Sequence, residues 1–218
     1  MTIESFGLQT GRNPFNYEKI EQVSRDIVTE WLTLDEITQQ LNLFQDESQD
    51  SYLSSIELAT RMAIEDYLGM SIFPVTYRTY YASLNSGTQT SLDLPEVSQP
   101  FQSQSGVTID SVAYYNGDMP PVLIELATTD YYYDPTGNKI VVQGLPNAVS
   151  TNVSNPVVVT YTCNANPIAQ YPVIKQAGLM LLTHIYNNRS TVGQTVGVMA
   201  EIPFGVSTLL RPYKPLVM

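Results

Sequence analysis

The sequence predicts an α+β fold: a small α-helical bundle of about three to four helices with an inserted antiparallel β-sheet or β-sandwich lobe. Helix-period apolar patterns lie towards both ends of the chain, whereas the middle is rich in Tyr, Val and Thr and is broken by Pro, Gly and Asn at short intervals. The order of these textures divides the chain into an N-terminal arm (1-31), a helical body (32-70 with 171-211), a β-rich lobe (71-165) and a C-terminal tail (212-218). A chain of 218 residues with 43% hydrophobic content can bury a sizeable core and is not composed like a disordered one.

The first helix is announced by Leu32-Thr33-Leu34-Asp35-Glu36. Thr33 and Glu36 have capping-box spacing, in which each side chain satisfies an orphan backbone N–H of the other residue, so a short helix is expected from there to near Leu43. In the second helix Leu53, Ile56, Ala59 or Thr60, Ala63 and Tyr67 recur at three- and four-residue steps, and Gly69 supplies the stop. Asp46, Glu47 and Asp50 precede or open it, where negative charge suits the positive end of the helix dipole. They lack the spacing and the glycine of a calcium loop.

Strands are expected at 73-83, 106-115, 121-133, 138-143 and 156-163. Asn116-Gly117-Asp118 and Asp134-Pro135-Thr136-Gly137-Asn138 read as hairpin connections, and the polar stretches 84-105 and 144-155 read as exposed loops. A last long helix should begin at Pro172, whose missing N–H is harmless at the first helical position, and run to about Asn188. Its apolar residues Val173, Ile174, Ala177, Leu179, Met180, Leu181, Leu182 and Ile185 cover more than one face, which predicts a central or sandwiched helix. Residues 189-202 read as a mobile loop, 203-210 as a short helix, and Arg211-Pro212-Tyr213-Lys214-Pro215 as extended.

Composition excludes several chemistries. Asp and Glu outnumber Lys and Arg by 21 to 10, a formal charge of -11, and no Lys or Arg falls between Arg78 and Lys139 or between Lys139 and Lys175. A phosphate-tracking groove needs clustered cations, so tight nucleic-acid binding is not expected, although acidic walls suit a channel through which DNA slides. Nowhere do about 18 apolar residues run together, and the opening MTIESFGLQTGRNPF has no basic-then-apolar leader pattern, so no membrane span and a cytosolic origin are expected.

Cys163 is the single cysteine and His184 the single histidine, so no intramolecular disulfide is available, and metal ligands are too few for a metal site. The two fall on different predicted elements, where ordinary packing roles account for them better than a nucleophile-base pair. Glu65 with Asp66, and Asp130 with Asp134, could be offered as paired carboxylates; both pairs read as solvated surface residues. Walker, dinucleotide-binding and nucleophile-elbow glycine patterns are missing. No catalytic residue, cofactor or metal is therefore assigned. The 15 tyrosines include Tyr80-Tyr81, Tyr114-Tyr115 and Tyr131-Tyr132-Tyr133, which alternation divides between a core and an outer strand face, with a subunit interface as the other reading.

The order of parts resembles the head-tail connector, or adaptor, family of tailed bacteriophages. Its opening is similar to Leu32-Thr33-Leu34-Asp35-Glu36 followed by Asp50 through Leu68-Gly69. Its closing half is similar to Pro156-Val157-Val158-Val159-Thr160-Tyr161, Pro172-Val173-Ile174-Lys175-Gln176-Ala177, Tyr186-Asn187-Asn188-Arg189, Ile202-Pro203-Phe204-Gly205-Val206 and Leu209-Leu210-Arg211-Pro212-Tyr213. The resemblance implies a virion protein at the head-tail junction, made in the host cytoplasm. It would form a twelve-fold ring of copies of itself that docks on the portal protein, receives tail or nozzle proteins, and passes DNA through its channel without specific binding. Similar adaptors send their C-terminal tails into the portal, which by position implies Phe204, Leu209, Leu210, Arg211, Pro212, Tyr213 and Lys214 here; the other reading is a strap over the chain's own subunit. From a different class, a β-rich protein- or carbohydrate-binding module would explain the tyrosines but not the helices or the terminal motif.

Overall fold

A computed structural model describes residues 16–43, 47–82, 90–95, 106–143, 149–164, 171–188 and 204–214. In chain order its elements are β1 (Lys19–Arg25), α1 (Leu34–Leu41), α2 (Asp50–Leu68), β2 (Val75–Tyr81), β3 (Thr90–Asp93), β4 (Val107–Tyr115), β5 (Leu123–Glu125), β6 (Tyr131–Asp134), β7 (Lys139–Val142), β8 (Val157–Cys163), α3 (Pro172–Asn187) and α4 (Phe204–Leu210). Short 3₁₀ turns cover Glu47–Gln49 and Arg211–Tyr213. The strands form two antiparallel sheets, one in the order β1-β2-β8-β4-β5 and one in the order β3-β7-β6, and the fold class is the α+β expected.

The chain forms two compact units, one drawn from Met1–Glu21, Arg78–Pro95 and Ile109–Thr160, the other from Gln22–Tyr77, Glu96–Thr108 and Tyr161–Met218. In the first unit β7 is the middle strand of its sheet. Ile140 faces Leu92 on one side and Tyr133 on the other, and Leu92 and Ile140 are fully buried. Asn138 closes the β6–β7 hairpin with φ +51°, a left-handed conformation that asparagine tolerates, while Asp134 Oδ1 accepts from the Thr136 N–H at 2.9 Å. The β4–β5 connection is tied by Asn116, whose Oδ1 accepts the Val122 N–H at 2.8 Å.

Three expectations about strands and loops need correction. Residues 121–133 do not form one strand: β5 ends at Glu125, the Asp130 N–H turns back to the Ala127 carbonyl at 2.9 Å, and β6 begins only at Tyr131. The 84-105 stretch is not all loop, since Thr90–Asp93 pairs with β7 and buries Leu92. Within 144-155, Ser150 is buried and donates its N–H to the Tyr115 carbonyl at 2.7 Å. Lys19–Arg25, in the segment read as an arm, forms an edge strand of the five-stranded sheet.

The second unit contains the four α-helices of the described residues and their core. Thr33 is the N-cap of α1, with its Oγ1 accepting the Glu36 N–H at 3.3 Å and Glu36 Oε2 accepting the Thr33 N–H at 3.0 Å. The Lys175 ammonium, 2.7 Å from the other oxygen of Glu36, ties α3 to α1 and holds that carboxyl below the ordinary range. Gly69 ends α2 in the left-handed conformation, φ +68°, that the sequence anticipates. Leu53, Ile56, Ile64 and Leu68 of α2 pack with Trp31, Leu32, Ile174, Ala177, Leu181 and Leu182. Gly178 permits the closest approach in this core: a Cβ there would lie 2.7 Å from two ring carbons of Trp31. α3 is one-sided rather than sandwiched, because Val173 and Met180 remain 38% and 37% exposed.

The inward face of α2 also carries charge. Glu57, Arg61 and Glu65, spaced at four residues, are each at most 4% exposed. Glu57 Oε1 accepts the backbone N–H groups of Trp31 and Leu32 at 3.1 and 3.3 Å, and burial pushes its carboxyl up against the opposing effect of those bonds. Arg61 donates to the carbonyls of Asp26 and Thr29, each at 2.6 Å. Glu65 accepts the Ile72 N–H at 2.7 Å and pairs with Arg25, so it is not the solvated surface residue expected. A buried charge is tolerable only when it is paired and hydrogen-bonded, and here each one fixes a backbone segment on the helix.

Asp26 itself is held by local bonds. The Thr29 hydroxyl and then the N–H groups of Thr29 and Val28 lower its carboxyl from 3.8 to about 2. A depressed folded value means that the contribution is present above the unfolded value and is lost as pH falls through the folded one. Between pH about 4 and about 2, chemical denaturation should therefore show wild-type stability falling more steeply than that of Asp26→Asn. Parallel curves would break the link between this turn and acid sensitivity.

Candidate functional site

The C-terminal residues singled out by the sequence resemblance divide into two groups. In α4, Val206 and Leu210 lie four residues apart on one face, and both are fully buried in the core of their own unit. Leu209 is half-buried against the same core. Phe204 opens the helix. The chain then tightens into the 3₁₀ turn Arg211–Tyr213 instead of running extended, since the Lys214 N–H returns to the Arg211 carbonyl at 3.3 Å.

The turn brings the Tyr213 ring to 5.5 Å from Tyr171, and it puts the Lys214 ammonium 5.1 Å from the centre of the Tyr67 ring. The Tyr67 hydroxyl in turn donates to the Ser207 carbonyl at 3.3 Å. Leu209, Leu210 and Tyr213 are thus engaged by their own subunit, while Arg211, Pro212 and Lys214 are exposed. The described part of this segment straps its own helices and offers outward two cations with a stiff proline between them.

Beside α4 lies a cleft of about 360 Å³ between α1 and α3. Met180 gives it exposed apolar surface over the buried Val206, and Gln40, Thr183, His184, Asn187 and Asn188 line it with polar side chains. His184 is half-buried there, whereas Cys163 is a fully buried thiol, outside any disulfide, at the end of β8. Both stand in ordinary packing positions. The carboxylates first considered as pairs have separate occupations: Glu65 is engaged with Arg25 and Ile72, Asp66 is exposed, and Asp134 serves Thr136 in its turn. Among the described residues no cluster of three or more His, Cys, Asp or Glu could hold a metal ion, and no helix is long and apolar enough to cross a membrane.

The tyrosines divide by face as strand alternation requires. Tyr81 and Tyr114 are buried, Tyr80 and Tyr115 are half-buried, and Tyr132 is 47% exposed between half-buried Tyr131 and Tyr133. The Tyr81 hydroxyl donates to the Asp93 carbonyl at 2.8 Å, and burial pushes it well above the ordinary phenol range. Its role is to close a core. Sequence reasoning missed Val206 as a buried anchor of α4, although its four-residue spacing to Leu210 was the available signal, and it missed the buried charges of α2.

With this geometry in place, the class is an α+β chain whose largest helical core is closed by a C-terminal strap. No family model matches the chain, and no curated protein matches it in sequence. Solved structures do match. A chain in the virion of a native gene transfer agent particle aligns with TM-score 0.61 and 17% identity, over 92% of this chain and 97% of that one. A chain in the neck of the empty gene transfer agent particle, computed with C6 symmetry, aligns with TM-score 0.61 and 18% identity over the same shares. One in the neck of the native particle, computed with C12 symmetry, aligns with TM-score 0.56 and 18% identity, again over 92% and 97%. Likeness at this identity establishes a shared fold spanning nearly the whole of both chains.

Proposed function

We propose that the protein is a structural, non-catalytic component of the neck of a phage-like particle, a head-tail adaptor. Twelve copies form a ring at the head-tail junction, dock on the portal protein and receive the tail, and packaged DNA passes through without specific binding. The observation that carries this reading is the fold shared with neck chains computed with C12 and C6 symmetry over 92% of this chain. The formal charge of -11 supports it, because a net negative chain repels phosphates and keeps DNA from lodging. So does the order of the sequence motifs from Leu32 to Tyr213.

Among the residues the resemblance implies for portal binding, the reading rests on Arg211, Pro212 and Lys214, whose side chains are exposed. The test is co-sedimentation with the portal ring of the same particle. The full chain is expected to pellet with the ring, and Arg211→Glu/Lys214→Glu to bind at least about tenfold more weakly, with an unchanged melting midpoint. Failure of the full chain to bind overturns the adaptor reading. Equal binding by the double variant removes the portal role from this turn.

A further inference from the structure

The outer strands of the five-stranded sheet, β1 and β5, both turn backbone groups outward. In the β4–β5 hairpin the Leu126 N–H bonds the Val112 carbonyl at 2.8 Å and the Asn116 N–H the Val122 carbonyl at 2.9 Å, with Tyr114 opposite Ile124 between them. Antiparallel pairs alternate between bonded and non-bonded, so Leu123 and Glu125 point their N–H and C=O groups away from β4. On the other edge the Glu18 N–H bonds the Tyr80 carbonyl at 2.8 Å, and the same alternation points Lys19, Glu21 and Val23 away from β2.

β5 is also apolar where it is open. Val122, Leu123 and Ile124 are 53%, 47% and 38% exposed, and Met119 in the turn before them is 80% exposed. Successive strand residues point to opposite faces, so this apolar surface lies on both faces of the strand as well as along its edge. Folded chains blunt such an edge with lysine, proline or a covering loop, and Leu123–Glu125 contains neither lysine nor proline. A helix could cover the side chains, but only an extended backbone answers the outward groups of Leu123 and Glu125.

We propose that β5 pairs with β1 of a second copy of this chain, so that the sheet continues from copy to copy. β1 matches β5 in three respects. It presents its own outward row of donors and acceptors at Lys19, Glu21 and Val23. It exposes Ile20 by 40% and Val23 by 48%, aliphatic surface of the kind that β5 leaves uncovered. It also brings a cation, Lys19, whose side chain is 55% exposed, to the exposed Glu125, which lies in a stretch without Lys or Arg from Arg78 to Lys139. Joining two different edges of one sheet makes a heterologous contact, which repeats head to tail and closes into a ring when the rotation per copy is right. The inference rests on the ring reading above and assigns that ring its contact.

The experiment is sedimentation velocity of the full chain, alone at raised concentration and with portal rings. Leu123→Pro and Val23→Pro each remove one outward N–H and no ladder bond within the chain. The wild type is expected to form multimers, and each variant to associate at least about tenfold more weakly with an unchanged melting midpoint. An equimolar mixture of the two variants should form dimers and nothing larger, because one intact β5 and one intact β1 remain between them. Unchanged association by Leu123→Pro overturns the contact, as does a mixture no more associated than its components; portal binding by the wild type then leaves the adaptor reading standing. Multimers that do not bind the portal keep the contact and remove the adaptor reading. If the free wild type is monomeric, copies bound per portal ring are compared instead: both variants should load fewer, and equal loading overturns the contact. A wild type that neither multimerises nor binds the portal overturns both. Should the prolines lower the melting midpoint, Leu123→Lys and Val23→Lys replace them, since an edge lysine blocks pairing without altering the backbone.

Discussion

Truncation after Gly205 is expected to destabilise the whole helical unit, not merely to silence a docking tail. The cut removes Val206 and Leu210, both fully buried, together with Leu209 and Tyr213, which pack against the same core. Full burial of an aliphatic side chain is worth about 1.5–3 kcal/mol, so those two residues alone account for roughly 3–6 kcal/mol. Set against a total stability of about 5–15 kcal/mol, that loss is large enough to lower the melting midpoint by on the order of 10 °C. Thermal melting followed by far-ultraviolet circular dichroism checks it. A truncated protein that melts with the full chain would show that α4 is dispensable to its core and would return the segment to the role of a free tail. Portal-binding tests on truncated forms are informative only beside this control, which is why charge reversal at Arg211 and Lys214 is the better probe of docking.

The second large effect is centred on Trp31. Trp31→Ala is expected to cost about 3–5 kcal/mol, since the ring is 5% exposed and sits in the main helical core. Gly178→Ala sets two terms against each other: about 1 kcal/mol gained from helix propensity, and about 1–3 kcal/mol lost to overpacking against the indole carbons 2.7 Å from the new Cβ. With the indole gone, the overpacking loses its main source, and only the milder approach of Leu32 Cδ1 at 3.3 Å remains. The double variant should therefore be more stable than the sum of the singles by about 1–3 kcal/mol in a urea-unfolding cycle. Simple additivity would mean that the core relaxes around Gly178 and that the close approach is not a constraint.

What was legible in the sequence had short-range causes. The Thr33–Glu36 capping box, the Gly69 stop, the Pro172 start and the two hairpin turns each depend on residues a few positions apart, and each is found in place. The features that escaped depend on distant partners. β1, Lys-Ile-Glu-Gln-Val-Ser-Arg, spaces its aliphatic residues three apart, out of step with a strand, and is a strand because the edge of a sheet accepts it. β3 is four residues inside a polar run, recognisable only from β7 beside it.

Glu57, Arg61 and Glu65 carry the spacing of a solvated helix face. Their burial is decided by partners as far as 40 residues away, as with Arg25 and Glu65. In the candidate site the C-terminal motif drew attention to the right segment, but its apolar members turned inward, while Asp26 to Thr29 had a local turn signature that composition alone gave no reason to examine. The 189-202 stretch read as a loop lies outside the described residues.

The core that joins Trp31, Ile64, Ile174 and Leu210 also sets the order in which the chain can mature. A ribosome that has made α1 and α2 has produced apolar faces whose partners are still more than a hundred residues from synthesis. The β4–β5 and β6–β7 hairpins can form meanwhile, because those pairings are local, but the helical unit must wait for α3 and α4. Through that interval Leu53, Ile56 and Ile64 lack their final shelter, so cooler growth or a helper that shields apolar surface should raise soluble yield. Folding of this unit is in effect gated by translation of its last helix, and slow codons between α2 and α3 would lengthen the exposed phase.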